Sequence, residues 1–232
     1  MGYLSKDLGE GFISASPSFV SIGVDGFNLS DLKVEGVEES DDYLVEIQML
    51  DENGIPGQFF DWHHGSSGRY RNDGWYEDDD TRVDGDDYEV TFTKGQGLYF
   101  SSVAGAKIVS SGQVLQENVV VDLQDGFTMT ANPYPCTIGL STVEVLDVEE
   151  SDDYLVEIQM LDENGIPNLF FDWHHGSSGR YRNDGWYEDD DTRVDGDDYE
   201  YDVFPGQSLY ISGVNGAKIK FNCPEFLAPT AE

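Results

Sequence analysis

Positive charge is scarce in this sequence. Its 232 residues contain 12 Lys plus Arg against 47 Asp plus Glu, which gives a formal net charge of −35. Such a surface repels nucleic acid and anionic membranes, so functions that require binding to phosphate groups are disfavoured. The charge suits a saline environment, divalent cations or a basic protein partner, and we expect stability to increase with salt.

Long apolar runs are missing as well. No stretch approaches the roughly 18 consecutive apolar residues of a membrane-spanning helix, so we expect no membrane insertion. Residues 1–9 lack the apolar segment of a secretory signal, and we expect synthesis in the cytoplasm without a signal peptide. Aromatic residues make up 13% of the chain, which provides enough apolar surface for a folded core.

One long segment is present twice. Residues 37–89 recur as residues 148–200, and the only substitutions are Asn168 for Gly57 and Leu169 for Gln58. Sequence outside this segment has diverged, and a core constraint alone would not preserve exposed positions. Two interpretations are open: gene conversion within the repeat, or a requirement that both copies present the same surface to a partner.

The repeats predict an all-β chain. Short alternating apolar segments are separated by turn signals such as Asn53-Gly54, and no segment has a sustained helical period. We predict two tandem antiparallel β-sandwich, jelly-roll-like units that arose by internal duplication. The expected organisation is an N-terminal arm (1–11), a first sandwich (12–113), a crossover strand or linker (114–124), a second sandwich (125–223) and a C-terminal tail (224–232).

Both cysteines, Cys136 and Cys223, lie in the second repeat, at positions where the first repeat has Asp25 and Gly112. Their joint presence in one copy suggests a disulfide, but two unrelated thiols explain it equally well.

An acidic loop in each repeat is the candidate metal site, since calcium takes carboxylate oxygens as ligands. The pattern is not that of an EF-hand, because Arg82 stands at a ligand position. The alternative is a solvated acidic turn. The candidate ligands are Asp78, Asp80, Asp84 and Asp86, with Asp189, Asp191, Asp195 and Asp197 in the second copy.

Tryptophans beside these loops suggest a second hypothesis, because exposed indole rings can stack on sugars. The candidates for carbohydrate binding are Trp62, Trp75, Trp173 and Trp186. Buried rings would favour a structural role, and open coplanar rings would favour sugar binding. No spacing singles out a catalytic acid–base pair or a nucleophile with its base, so we expect no enzymatic activity.

The whole-chain character resembles that of accessory virion proteins of tailed phages, such as capsid decoration or fibre-base proteins. The resemblance rests on the tandem β units, the acidic surface, the N-terminal arm and the absence of a signal peptide. It implies a structural protein of a virion or other extracellular particle, whose partners are other subunits: copies of itself, or a capsid or surface protein. The alternative function is a tandem calcium-assisted carbohydrate-binding module.

Overall fold

The computed structural model describes residues 1–38, 45–51, 53–65, 73–77, 81–85, 88–149, 156–161, 166–176, 184–188, 192–196 and 199–229. These residues form antiparallel sheets, and their helical structure is limited to two 3₁₀ turns, Leu29–Asp31 and Leu140–Thr142. The predicted all-β class is confirmed. In this part of the chain no helix is long and apolar enough to cross a membrane.

The first repeat contains a three-stranded sheet (β1-β10-β4), a five-stranded sheet (β2-β9-β5-β6-β7) and a two-stranded ladder (β3-β8). The strands are β1 Gly2–Asp7, β2 Gly11–Ala15, β3 Phe27–Asn28, β4 Leu32–Glu35, β5 Val45–Leu50, β6 Pro56–His63, β7 Gly74–Tyr76, β8 Thr91–Phe92, β9 Leu98–Ser102 and β10 Lys107–Gly112.

The second repeat has the same three sheets, with strand orders β11-β20-β14, β12-β19-β15-β16-β17 and β13-β18. Its strands are β11 Val119–Asp122, β12 Gly126–Ala131, β13 Ile138–Gly139, β14 Val143–Leu146, β15 Glu157–Leu161, β16 Pro167–His174, β17 Gly185–Tyr187, β18 Asp202–Val203, β19 Ser208–Gly213 and β20 Lys218–Phe221.

The predicted hairpin between β5 and β6 is present. Asp51 Oδ1 accepts hydrogen bonds from the backbone N–H groups of Asn53 and Ile55, at 2.8 and 2.9 Å. Gly54 has a φ of 73°, which favours glycine. A Cβ at Gly54 would also lie 1.8 Å from the hydroxyl oxygen of Tyr210 in the other repeat. The turn residue is therefore dictated both by its backbone conformation and by contact between the repeats.

Each repeat has its own core, and both of its larger sheets contribute to it. In the first repeat Leu32 and Ile108 come from the three-stranded sheet, while Ile47, Phe60 and Phe100 come from the five-stranded sheet. All five are almost fully buried. Full burial of one such side chain contributes about 1.5–3 kcal/mol, so the two sheets of a repeat hold each other in place.

The segment expected to be an N-terminal arm contains a strand. Residues 2–7 form β1, which pairs antiparallel with β10 and places Asp7 opposite Lys107. The expected linker contains β11, which pairs with β20 and places Asp122 opposite Lys218. These two segments therefore have the same place in their repeats, as the first strand of the three-stranded sheet.

The two repeats meet in a reciprocal interface. The Ser16 N–H donates to the carbonyl oxygen of Gly206 at 2.9 Å, and the Ala131 N–H donates to that of Gly95 at 2.8 Å. Isolated bridges also occur in both directions, Ala15 with Gln207 and Thr130 with Gln96. Such reciprocity is typical of a two-fold dimer interface, here made within one chain.

Candidate functional site

The twice-present segment forms the outer edge of each five-stranded sheet. Strand β7 pairs with β6 in the register Asp61–Tyr76, Trp62–Trp75 and His63–Gly74. The same register recurs between β16 and β17 as Asp172–Tyr187, Trp173–Trp186 and His174–Gly185. We call the described residues 61–65, 73–77 and 81–85 the acidic edge, and residues 172–176, 184–188 and 192–196 its copy.

A buried tryptophan anchors each acidic edge to the sheet behind it. Trp75 is fully buried, and its Nε1 donates to the carbonyl oxygen of Leu32 at 3.0 Å. Trp186 makes the same bond to Val143. The Trp75 ring meets Trp62 edge to face at 5.5 Å, with an interplanar angle of 68°. This packing fixes the position of β7 relative to the core.

The four tryptophans proposed as sugar platforms are therefore placed inward. Trp62 and Trp173 are 9% and 8% exposed, and Trp75 and Trp186 are 0% exposed. The ring pair of the second repeat is also edge to face, at 68°. Because the rings are buried, this geometry favours a structural role for all four. Sugar binding stays a prediction, and none of the four rings offers an exposed face for stacking.

An arginine–aspartate clamp closes the acidic edge. Asp84 Oδ1 accepts a hydrogen bond from Arg82 Nε at 2.5 Å, and Asp84 Oδ2 accepts one from the Trp75 N–H at 3.2 Å. Arg82 Nη2 donates to the carbonyl oxygen of Asp73 at 2.9 Å. The second copy repeats these three contacts with Arg193, Asp195, Trp186 and Asp184. A half-buried ion pair thus ties the loop after β7 back onto that strand.

The clamp leaves no space for a side chain at its centre. A Cβ at Gly74 would lie 2.7 Å from Arg82 Nε and 2.8 Å from Asp84 Oδ2. The same conflict exists at Gly185 in the copy. Glycine at the start of β7 is therefore part of the clamp geometry.

Only two of the proposed calcium ligands lie among the described residues. Asp84 and Asp195 are held in the clamps, and their side chains are 8% exposed. The other six, Asp78, Asp80, Asp86, Asp189, Asp191 and Asp197, lie outside the described residues. Within the described part of the chain no group of three or more His, Cys, Asp or Glu residues is arranged to hold a metal. Calcium binding by the loops stays a prediction.

Adjacent histidines point to different surroundings, as neighbours in an extended strand do. His63 is buried and meets the Tyr76 ring edge to face at 5.4 Å. His64 lies at the strand end, with Nδ1 3.4 Å from Asp73 Oδ1. That Asp73 oxygen also accepts the Gly65 N–H at 2.8 Å, so the carboxylate caps the turn that follows the strand.

One of the two substitutions removes a hydrogen-bond donor to an edge carboxylate. Gln58 Nε2 donates to Glu77 Oε1 at 2.9 Å in the first repeat. Leu169 replaces Gln58 and packs against the second core, and Glu188 accepts a hydrogen bond from the Tyr199 hydroxyl. This carboxylate is therefore hydrogen-bonded in both acidic edges.

The two cysteines are free thiols in the structure, and both pack against the second core. Burial raises the pKa of the Cys136 thiol, and the nearby Cys223 raises it further. Cys223 also raises the pKa of Tyr134, after the larger effect of burial. The two thiols therefore lie close enough to interact, and a disulfide under oxidising conditions stays a prediction.

The role of the first residues of the chain is not evident from the sequence. Lys6 lies in β1, on the face of that strand that turns toward the second repeat, and its Nζ donates to the carbonyl oxygen of Gly206 at 3.1 Å. The alternating burial of residues 2–7 is the period of a strand. The signal in the sequence was Leu4 between polar neighbours, a pattern too short to separate a strand from a polar arm.

Comparisons with known proteins add no assignment. No protein-family model matches the sequence, and no curated protein or solved structure shows significant similarity to it. The function is therefore argued from the two acidic edges and the interface between the repeats.

Proposed function

We propose that this chain is a non-enzymatic structural protein of a virion or other extracellular particle, in which it presents two copies of one acidic surface to basic sites on neighbouring subunits. The observation that carries the proposal is the location of the sequence identity. The nearly identical residues 37–89 and 148–200 include both acidic edges, whereas the reciprocal contacts between the repeats are made by residues outside these two segments.

Each acidic edge is distant from the interface between the repeats, both across the five-stranded sheet and along its strands. In the sheet order β2-β9-β5-β6-β7, the bridge to the other repeat is at the end of β2, and β7 is the opposite edge. Four strand spacings of about 4.8 Å separate them by about 19 Å. Along β6, Pro56 is next to the hairpin that contacts the second repeat, and His63 is at the far end. Both edges are thus accessible to partners while the repeats stay paired.

Two identical surfaces on one chain allow bivalent attachment. A second contact made by an already bound chain can raise affinity by a factor of about 10²–10⁴ over one contact alone. With a net charge of −35, the preferred partner surface is basic. Calcium bridging between the acidic loops and an acidic partner is the alternative contact, and EDTA distinguishes it from a purely ionic one.

The two-sandwich organisation is part of this proposal. In each repeat a five-stranded and a three-stranded sheet contribute to a shared core, which is how the layers of a β-sandwich are held together. Two such units joined by a reciprocal interface would form a rigid spacer between the two acidic edges.

Fractionation of the native source tests the proposal directly. An antibody against the chain should detect it in sedimenting particles, and immunogold electron microscopy should label the particle surface. Brief treatment with high salt should release it, because salt screens ionic contacts. EDTA at low ionic strength releases it only if calcium bridges the contact. A chain found entirely in the soluble fraction, with particles that carry no label, would overturn the proposal.

A further inference from the structure

Two clefts flank the reciprocal interface, one on each side. Cleft 1, of about 540 Å³, is lined by residues that include Leu4, Lys6, Ile13, Met160, Phe204 and Gln207. Cleft 2, of about 220 Å³, is lined by residues that include Met49, Thr93, Gln96, Val121, Thr128 and Met129. The two clefts occupy equivalent positions in the two repeats. Lys6 of cleft 1 pairs with Ile108, and Val121 of cleft 2 pairs with Ile219, which is the equivalent position of the second repeat.

Divergence has made the clefts chemically different. Val121 in cleft 2 replaces Lys6, Thr128 replaces Ile13, and Thr93 replaces Phe204. Cleft 1 is consequently larger, has more apolar walls and contains an ammonium group. Its volume lies within the roughly 300–1,000 Å³ typical of small-molecule sites.

Lys6 is the unusual group in cleft 1. Among the described residues it makes one hydrogen bond, to the Gly206 carbonyl, and no ion pair. Four other lysines each have a carboxylate partner: Lys94, Lys107, Lys218 and Lys220. Such an ammonium group, half-buried without a counter-charge, is costly unless an anion compensates it.

Among the described residues, no other residue that lines the cleft supplies that compensation, since none of them carries a titratable side chain. The neighbouring acid along β1, Asp7, is paired with Lys107 at 2.8 Å on the other side of the strand. Burial lowers the pKa of Lys6 to about 8, which leaves it mainly protonated at neutral pH.

We propose that cleft 1 binds a small amphipathic carboxylate, whose apolar tail lies against Leu4, Ile13, Met160 and Phe204 and whose carboxylate accepts a hydrogen bond from Lys6 Nζ. The apolar walls provide burial for an alkyl or aryl group, and a charge-assisted bond in this half-buried position fixes its orientation. Phe204 is 59% exposed at the rim, where a ligand would cover it. This inference is independent of the assembly function, since none of these contacts involves an acidic edge.

Octanoate is a suitable probe, and the methionines report its position. The chain has four, of which Met160 lines cleft 1, Met49 and Met129 line cleft 2, and Met1 is exposed. In a titration followed by methyl NMR we expect the Met160 signal to shift, with one equivalent bound and no change at Met49 or Met129. Shifts of equal size in both clefts, or no saturable shift, would overturn the proposal.

Matched variants test the role of the charge. Lys6→Met should weaken octanoate binding by about 10-fold or more, because it removes a charge-assisted hydrogen bond. Lys33→Met, which removes an exposed lysine of β4, should leave binding unchanged. Binding of 1-octanol should be nearly the same in wild type and Lys6→Met. Unchanged octanoate affinity in a folded Lys6→Met protein would refute the assignment, and Lys6→Arg, which keeps the charge, should retain binding if Lys6→Met fails to fold.

Solution conditions provide a further test. Octanoate affinity should fall as the pH rises through the pKa of Lys6 at about 8. It should rise with moderate salt, because the net charge of −35 repels anions at long range and salt screens that repulsion. Affinity that is independent of pH between 6 and 10 would contradict an ionic contact with Lys6.

Discussion

The acidic edges and the clefts of this molecule have diverged to very different extents. The two edges share the clamp contacts: the Arg82–Asp84 pair of the first edge recurs as Arg193–Asp195 in the second. The two clefts are built from equivalent strands, yet one contains Lys6 and the other Val121. One region has kept two identical copies, and the other has become asymmetric.

The cores show that folding alone does not demand the identity. Phe92 and Phe100 of the first core correspond to Val203 and Ile211 of the second, and all four are buried. Large changes are thus tolerated inside the repeats. Exposed residues of the acidic edge such as Asp73 and its counterpart Asp184 are nevertheless the same. A shared partner accounts for this pattern, and gene conversion is the alternative that requires no partner.

The largest expected effect tests whether the two edges are energetically equivalent. Trp75→Ala and Trp186→Ala should each lower the free energy of unfolding by about 3–5 kcal/mol, because each removes a fully buried ring. The two losses should agree in urea denaturation. Trp75→Phe should cost less, since it keeps most of the packing. A loss in only one repeat would mean that the edges are not equivalent.

The second largest expected effect is the loss of stability when the arginine–aspartate clamp is weakened. Asp84→Asn and Asp195→Asn should each cost about 1.5–3 kcal/mol, because each weakens a hydrogen bond between charged groups. The cost should be the same in calcium and in sodium chloride at equal ionic strength, since both carboxylates are engaged within the protein. Asp125→Asn, at an exposed acid, is the control and should change little. A cost present only with calcium would instead make Asp84 a metal ligand.

The asymmetry of the clefts predicts that Lys6 in cleft 1 makes the free energy of unfolding depend on pH, and that cleft 2, which has Val121 at this position, does not. Burial lowers the pKa of Lys6 to about 8 in the folded protein, from the 10.5 of an unperturbed lysine. Between these values the unfolded chain holds the proton and the folded chain does not, so stability rises with pH. The difference in unfolding free energy between wild type and Lys6→Met should therefore change across this window. No pH dependence in that difference would contradict the burial of Lys6.

The smallest expected effect concerns the two substituted positions of the repeat. Leu169→Gln should cost about 1 kcal/mol, because Leu169 packs partly buried against the second core. Gln58→Leu should stay within about 0.5 kcal/mol, as is usual for exposed positions. Paired urea titrations measure both. A larger loss at Gln58 would show that its hydrogen bond to Glu77 matters more than its exposure suggests.

Much of the fold could be predicted from the sequence because its signals are local. The alternation in β5 and the Asn53-Gly54 turn specify a hairpin by side-chain period and backbone conformation. The clamp could not be predicted, because Asp84 reads equally well as a ligand and as an ion-pair partner of Arg82. Exposure of Trp75 was likewise open, since an indole ring suits both a core and a sugar platform. Lys6 was missed because its environment is created by the other repeat.

The direct test of the central claim is co-sedimentation of variants with stripped native particles. One variant replaces Asp78, Asp79 and Asp80 with Asn in the acidic loop next to the first acidic edge. Another replaces Asp189, Asp190 and Asp191 with Asn in the loop next to its copy, and a third carries both sets. A control carries Glu10→Gln, Asp125→Asn and Glu225→Gln, which removes the same three charges as each single-copy variant, outside the edges and their loops. We predict similar, partial losses of binding for the two single-copy variants, a much larger loss for the combined variant and wild-type binding for the control. Equal binding by all four proteins would contradict recognition through the duplicated acidic edges and their loops.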